Sequence, residues 1–404
     1  MNRLLLKNAT LVTGLGAKVA DVMIEGGKIA QIAPAISGFS SSDRIIDLKG
    51  KMLSYGFADV HVHFREPGFS YKETIATGSA AAARGGYTCV CTMPNLEPAP
   101  DSLENVALQQ RIIERDAVID VRPFASITKS RAGEEAVEAV ALAPVVAGFS
   151  DDGCGVQSCA VMKEAMERIA EAGSLVSAHC EDTSAGDALS ESAELARNIN
   201  LSARTGCRLH ACHLSTKESM VLMRQAKERG LSVSCETAPH YLLFSTDDVK
   251  DEGRFKMNPP IGTPADHNAL IAALQDGIID AIATDHAPHS EEEKSRGFKK
   301  SLSGIVGLET AFAACYTGLV LKGVISLERL IDLLCDAPRR IFGLGGALEE
   351  GQSADLTVFD LDREYVIDPE EFATKGRSCP FTGMKVRGRC LLTLYRGEIV
   401  YSEI

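Results

Sequence analysis

Two rhythms of apolar and polar residues divide the chain. Between residues 53 and 345, short β-branched or apolar runs alternate with stretches of helical periodicity, the pattern of repeated βα units. Strands are predicted near 57–63, 87–93, 118–126, 145–151, 174–179, 207–213, 231–237 and 280–285. Helices are predicted between them over Thr74–Arg84, Leu103–Arg115, Cys159–Ala172, Lys217–Arg229 and Ala265–Gln275. Eight strands, each followed by a helix, predict an α/β fold: a parallel (β/α)8 barrel rather than an open doubly wound sheet. Residues 1–52 and 346–404 read differently, as short strands punctuated by turns, for example Val22-Met23-Ile24-Glu25-Gly26-Gly27 and Ala354-Asp355-Leu356-Thr357-Val358-Phe359. Neither end is long enough for a good β core alone, so one small β-sandwich built from both termini is expected.

Composition narrows the partners. The hydrophobic share of 45% and charged share of 24% are those of an ordinary globular protein. No apolar run reaches the ~18 residues of a membrane span, and three leucines followed by Lys7 are too short for a secretory signal. A cytoplasmic location is therefore expected. The net charge is −13, with no dense basic cluster, which argues against nucleic acid. It leaves a small anionic substrate open, since one or two arginines can hold it. Twelve scattered cysteines without a CxxC pair read as buried free thiols, and Cys180 as a packed residue rather than a nucleophile.

All nine histidines lie between His61 and His289. In a strand, residues two apart share a side, so His61 and His63 converge while Val60 and Val62 pack away. Two neutral imidazoles on one face suit a borderline divalent metal such as zinc. Alone, this pair is weak evidence. Further metal-capable residues recur at the predicted carboxyl ends of other strands: Asp151-Asp152, His179, His213 and Asp285. That end of a barrel is where active sites form. Strand parity lets only one of Asp151 and Asp152 point inward, without saying which, and sends Asp285 and His286 apart. By the same parity His213 faces the mouth and His210 packs. Four imidazoles and two carboxylates exceed one tetrahedral zinc and predict two metals sharing a bridging group, able to activate water and polarise an amide. Asp285 is the candidate proton shuttle.

His61-Val62-His63-Phe64-Arg65-Glu66-Pro67-Gly68, Met93-Pro94-Asn95, Asp151-Asp152-Gly153, His179-Cys180-Glu181-Asp182, His213-Leu214-Ser215-Thr216-Lys217 and Ala283-Thr284-Asp285-His286-Ala287-Pro288-His289 closely resemble the class I, bacterial-type dihydroorotases of the amidohydrolase superfamily. The resemblance runs through nearly the whole chain. It implies reversible, zinc-dependent cyclisation of N-carbamoyl-L-aspartate to L-dihydroorotate and water, a step of pyrimidine biosynthesis. It further implies two zinc ions per subunit, bridged by Asp152 and a hydroxide. His61 and His63 would hold one, His179 and His213 the other. Asp285 would ligate the first and act as acid and base. His63, Arg65, Asn95, Asn258 and His289 would contact substrate. A small-molecule substrate is expected, in a homodimer without nucleic-acid or membrane partners.

Some positions depart from the pattern. Ile261-Gly262 and Ser301-Leu302-Ser303 stand where relatives carry other residues, and the stretch between Asp182 and Glu191 is shorter. The Glu291-Glu292-Glu293-Lys294 run reads as a solvated loop face. Allantoinases and hydantoinases share the barrel and the HxH start; the bridging aspartate, Arg65 and the Asp285-to-His289 spacing stand against them. A non-catalytic relative that binds a pathway enzyme would be expected to have lost ligands, and none is lost.

Overall fold

The computed structural model describes residues 3–41, 43–186 and 189–404. Five strands open the chain: β1 (Leu4–Thr13), β2 (Gly16–Glu25), β3 (Lys28–Ala33), β4 (Arg44–Asp47) and β5 (Met52–Tyr55). Seven short parallel strands follow: β6 (Phe57–Val62), β7 (Tyr87–Thr92), β8 (Asp120–Pro123), β9 (Leu175–Ala178), β10 (Arg208–Ala211), β11 (Val233–Thr237) and β12 (Ala281–Ile282). Three more close it: β13 (Leu356–Val366), β14 (Lys385–Tyr395) and β15 (Glu398–Ser402).

Parallel pairing runs β6-β7-β8 and β9-β10-β11-β12. Single bridges join the two groups, Ala125 to Phe149 and Phe149 to Val176, and His286 pairs back onto Val62. The pairing returns to its first strand, and the result is a barrel with an added β domain. The predicted fourth strand, 145–151, is reduced to the bridges at Phe149 because a tight turn at Ala143–Val145 consumes its start. The first two predicted strands keep six residues, and the others are trimmed to four or five, and to two in β12.

The five predicted helices appear as Ile75–Arg84, Leu103–Asp116, Cys159–Glu171, Lys217–Glu228 and Pro264–Gln275. Each starts at a Ser or Thr (Thr74, Ser102, Ser158, Thr216, Thr263) whose hydroxyl accepts a first-turn N–H. A sixth, Ser190–Thr205, lacks such a cap and buries Glu191, Glu194, Asn198 and Ser202. Polar residues on its inner face mask the apolar stripe that periodicity needs.

The terminal strands make one sheet, β15-β14-β13-β5-β1-β2-β3, with β4 also on β1. Both ends of the chain thus contribute to one β domain. β1 is ten residues long and pairs with β4 through Leu4–Lys7 and with β5 through Thr10–Leu11, which splices the N-terminal strands to β13. Met52–Tyr55 pairs in this sheet, with β1 on one side and β13 on the other. Phe57 of the barrel, Phe312 and Phe359 of β13 stack at 4.1–5.5 Å and weld the two parts. Ten of the twelve cysteines are buried, and all are free. Burial pushes the Cys180 thiol well above its usual range, as a packed residue requires. Among the described residues no helix is long and apolar enough to cross a membrane.

Between β13 and β14 the chain crosses to the barrel. The Glu309 carboxylate accepts the Ala373 N–H at 2.7 Å and the Thr374 N–H at 3.3 Å. Burial raises its pKa from 4.5 to about 7, against the pull of Arg84. The folded value lies above the unfolded one, so the unfolded chain ionises first. Stability is therefore lost as pH climbs from 4.5 to about 7 and stays lost above it. Glu309→Gln is expected to melt with wild type at pH 4 and several degrees above it at pH 8. Thermal unfolding at both pH values checks this; an equal difference at both would refute it.

Candidate metal centre and active site

Four histidines from the carboxyl ends of three barrel strands surround Asp152, and Asp285 lies beside two of them. The Asp152 Oδ1 atom lies 3.3 Å from His61 Nε2, 3.7 Å from His179 Nδ1 and 3.6 Å from His213 Nε2, and Oδ2 lies 3.6 Å from His63 Nε2. Asp285 Oδ1 stands 3.2 Å from His63 Nε2 and 3.7 Å from His61 Nε2. All six residues are buried. Of the aspartate pair, Asp152 is central. Asp151 instead accepts the Ile127 N–H at 2.8 Å and the Thr128 N–H and hydroxyl, fixing the loop after β8.

Backbone geometry aims four of these groups. His61 and His63 follow strand alternation along β6, with ring centroids 5.3 Å apart. His213 and Asp285 lie beyond the ends of β10 and β12, in the left-handed region (φ 34° and 48°), as does Arg65 (φ 59°). Left-handed backbone costs non-glycine residues about 1–2 kcal/mol and collects at functional sites. Strand parity does not apply there; the turns themselves carry His213 and Asp285 inward. His286 does diverge, toward Glu73 and Thr374.

Outer partners fix which nitrogen faces inward in three of the four rings. His63 Nδ1 donates to Asn95 Oδ1 at 2.8 Å, and His179 Nε2 donates to Glu181 Oε2 at 2.8 Å. His61 Nδ1 bonds the buried Glu236 at 2.8 Å. The missed helix supports the loops: Glu191 accepts from Ser215 and Thr216 just after His213, and Glu194 accepts the Glu181 N–H at 2.9 Å. Glu181, Glu191, Glu194 and Glu236 were not singled out from sequence. Glu181 lies inside the His179-to-Asp182 motif and Glu236 one residue before the end of β11, so position within the motif and strand end was the signal that could have found them.

Electrostatics suit a cation. Burial alone would raise the Asp152 carboxyl, but the cationic character of His61 and the nearness of the His213 ring hold it well below the usual range. Asp285 behaves alike: burial opposes ionisation, yet the bond from His63 and the charge at His61 and His213 prevail. Two anionic carboxylates thus sit among four inward nitrogens. The buried His61 Nε2 and Asp152 Oδ1 make no hydrogen bond, and His179 Nδ1 faces His213 Nε2 at 3.0 Å. Unpaired buried lone pairs of this kind fit a divalent metal. Two overlapping trios, His61-His63-Asp285 and His61-Asp152-His213, have donor atoms within 4.8 Å of one another.

The remaining expected residues divide. Arg65 donates to the Pro288 carbonyl at 3.3 Å and is near enough to Asp285 and Asp152 for their charges to act on it. Asn95 reaches toward Asp152 Oδ2 at 3.5 Å, and Asn258 donates to Glu181 at 3.0 Å. Both rings of contact for His289 are taken: Nε2 donates to the Ser303 carbonyl at 2.8 Å, and Nδ1 lies 3.2 Å from Lys72 Nζ. A Cβ at Gly304 would come within 2.5 Å of the Ala287 carbonyl and 2.9 Å of the His289 ring, so glycine is required there. The departure at 301–303 thus backs His289, while Ile261 is a core residue. In the Glu291–Lys294 run Glu291 and Glu292 are solvent-exposed as expected, but the segment is not a loop. It is a helical turn in which Glu293 accepts from Ser290 and pairs with Lys72 at 3.1 Å, and Lys294 is buried. Of the stretch from Asp182 to Glu191, residues 187 and 188 lie outside the described residues.

Residues 52–400 match the amidohydrolase family. The chain belongs to that family. This amidohydrolase is 44% identical to a protein named dihydroorotase from Fusobacterium nucleatum, over 99% of both chains. It is equally similar to one from Staphylococcus aureus, over 98% of this chain and 99% of that one. Among solved structures, L-hydantoinase (dihydropyrimidinase) from Arthrobacter aurescens superposes with a TM-score of 0.91 at 28% identity, covering 100% of this chain and 97% of that one. Dihydropyrimidinase from Brevibacillus agri gives 0.88 at 25% identity. Family and His/Asp cluster together imply a metal in this amidohydrolase.

Proposed function

We propose that this amidohydrolase is a dihydroorotase of the class I type that interconverts N-carbamoyl-L-aspartate and L-dihydroorotate plus water. The observation that carries the reading is 44% identity to dihydroorotases over essentially the full length of both chains, with four histidines around Asp152 and Asp285 beside His61 and His63. Two zinc ions are proposed. His61, His63 and Asp285 would hold one, His179 and His213 the other, and Asp152 would serve both. When bound, such a pair supplies Lewis acidity toward the amide carbonyl and a nucleophile at neutral pH.

The chain's own groups do the rest. Asp285, held as a carboxylate, takes a proton from the attacking water as the C–O bond forms. It returns that proton to the ring nitrogen as the C–N bond breaks. In the cyclising direction the same carboxylate takes the proton from the attacking nitrogen and delivers it to the departing water. Arg65 is the group suited to the carboxylate that survives cyclisation, since a guanidinium pairs with it in a charge-assisted bond. Asn95, Asn258 and His289 support this pocket through the contacts above. Their side chains position His63, Glu181 and the 301–303 loop as well as facing substrate. A homodimer in the cytoplasm completes the proposal.

Arg65→Gln is expected to raise KM for dihydroorotate about 10–100-fold, the worth of one charged hydrogen bond, with a smaller change in kcat. Steady-state kinetics reads this, and an unchanged KM refutes the assignment. The hydantoinase likeness defines the competing reading. Purified protein assayed on dihydroorotate, hydantoin and allantoin separates the two: turnover of dihydroorotate is expected, and turnover of only the other two overturns the proposal.

A further inference from the structure

Behind the inward-facing histidines lies a carboxylate that no ligand set includes. Glu236, in β11, is fully buried and has no basic Lys or Arg partner among its hydrogen bonds. Its Oε1 meets His61 Nδ1 at 2.8 Å and accepts the His213 backbone N–H at 3.4 Å. Its Oε2 meets His210 Nε2 at 3.1 Å. His210 is fixed in turn: its Nδ1 accepts from Ser234 Oγ at 2.8 Å, and its ring packs edge-on against Phe342 at 4.9 Å. The Glu236 carbonyl also accepts the Leu214 N–H at 2.9 Å. His210 thus has more than the packing role expected of it.

We infer that Glu236 is a positioning residue for the metal centre. Held by His210, it fixes His61 in the tautomer whose Nε2 faces Asp152 and anchors the turn that presents His213. The chemistry is direct. A carboxylate that accepts the Nδ1 proton leaves the Nε2 lone pair free, raises its basicity and sets the ring plane. Without it, His61 could carry its proton on Nε2, the atom 3.3 Å from Asp152, and lose the ability to ligate. The same carboxylate touches His61 from one proposed ligand set and the backbone of His213 from the other, so it ties the two together at a site where neither can rotate. Asp59 complements it: its carboxylate accepts the His61 and Thr284 N–H groups at 3.0 and 3.1 Å and so fixes the β6 and β12 backbones, while the His61 ring depends on Glu236. His61, Cys212 and Glu236 also lie within 4.8 Å of one another. A metal there would need the Nδ1 lone pair that the Glu236 bond consumes.

This inference rests on the proposed zinc pair but not on the substrate. The test is titration of metal-stripped protein with zinc in competition with a chromophoric chelator, on wild type, Glu236→Gln, Glu236→Asp and His210→Gln. Gln keeps the shape and removes the charge. Zinc affinity of at least one equivalent is expected to fall about 10–100-fold in Glu236→Gln, with part of the loss recovered in Glu236→Asp. His210→Gln, which leaves Glu236 in place and loosens its anchor, is expected to lose about three- to tenfold. Thermal unfolding of the metal-stripped proteins identifies any variant that fails to fold; if Glu236→Gln does, His210→Gln decides. Zinc affinities within twofold of wild type in the folded variants overturn the inference. A wild type that binds two zinc ions yet turns over no dihydroorotate overturns the proposed function and leaves this inference standing.

Discussion

Asp285→Ala is expected to lower kcat for dihydroorotate by about 10⁴-fold or more, the upper end of what one acid–base group contributes. Two losses coincide in this variant. The carboxylate stands 3.2 Å from His63 and 3.7 Å from His61, so its removal deletes a proposed ligand, and it also deletes the proposed carrier of the transferred proton. Asp285→Asn separates them in part, because an amide oxygen can still approach a metal but cannot take the proton. The His179/His213 ligand set does not include Asp285, so zinc is expected to remain bound there. Kinetics with zinc content measured on the same sample decides the matter. Turnover within tenfold of wild type would refute the acid–base role.

Asp152→Ala should have the second large effect, on metal content as well as rate. Four imidazole nitrogens lie 3.3–3.7 Å from its two oxygens. Its removal leaves the four without the anion between them, and one negative charge fewer to offset two divalent ions. Bound zinc is expected to fall from two equivalents to one or none, and turnover to fall at least about 10³-fold with it. Retention of two equivalents would show that Asp152 does not serve both ions. Asp151→Ala is the control: it holds Ile127 and Thr128, so it should cost stability while leaving zinc bound.

Much of the site was legible because alternation and motif both apply where the strands are regular. His61 and His63 lie within or just beyond β6, and two-residue spacing is enough to make them converge. His213 and Asp285 were reached by a rule that does not hold locally, since both sit in left-handed turns past their strands. Parity could not choose between Asp151 and Asp152; only the loop amides that claim Asp151 separate them. The supporting carboxylates were invisible for a different reason. Glu191, Glu194 and Glu236 look like surface residues in a one-dimensional reading, because a buried glutamate is recognised only by the donors that fold brings to it. Long-range pairing hid the rest: β5 reads as the start of the barrel but hydrogen-bonds to β1 and β13, and the crossing segment near Thr374 reads as terminal strand yet packs beside Glu73 and His286.

The most direct test is to add zinc to chelated protein in steps and follow dihydroorotate hydrolysis after each addition. Turnover that is absent without metal and rises to a plateau at two equivalents is the predicted result. Metal-independent hydrolysis, or no dihydroorotate turnover at any zinc level, would contradict it.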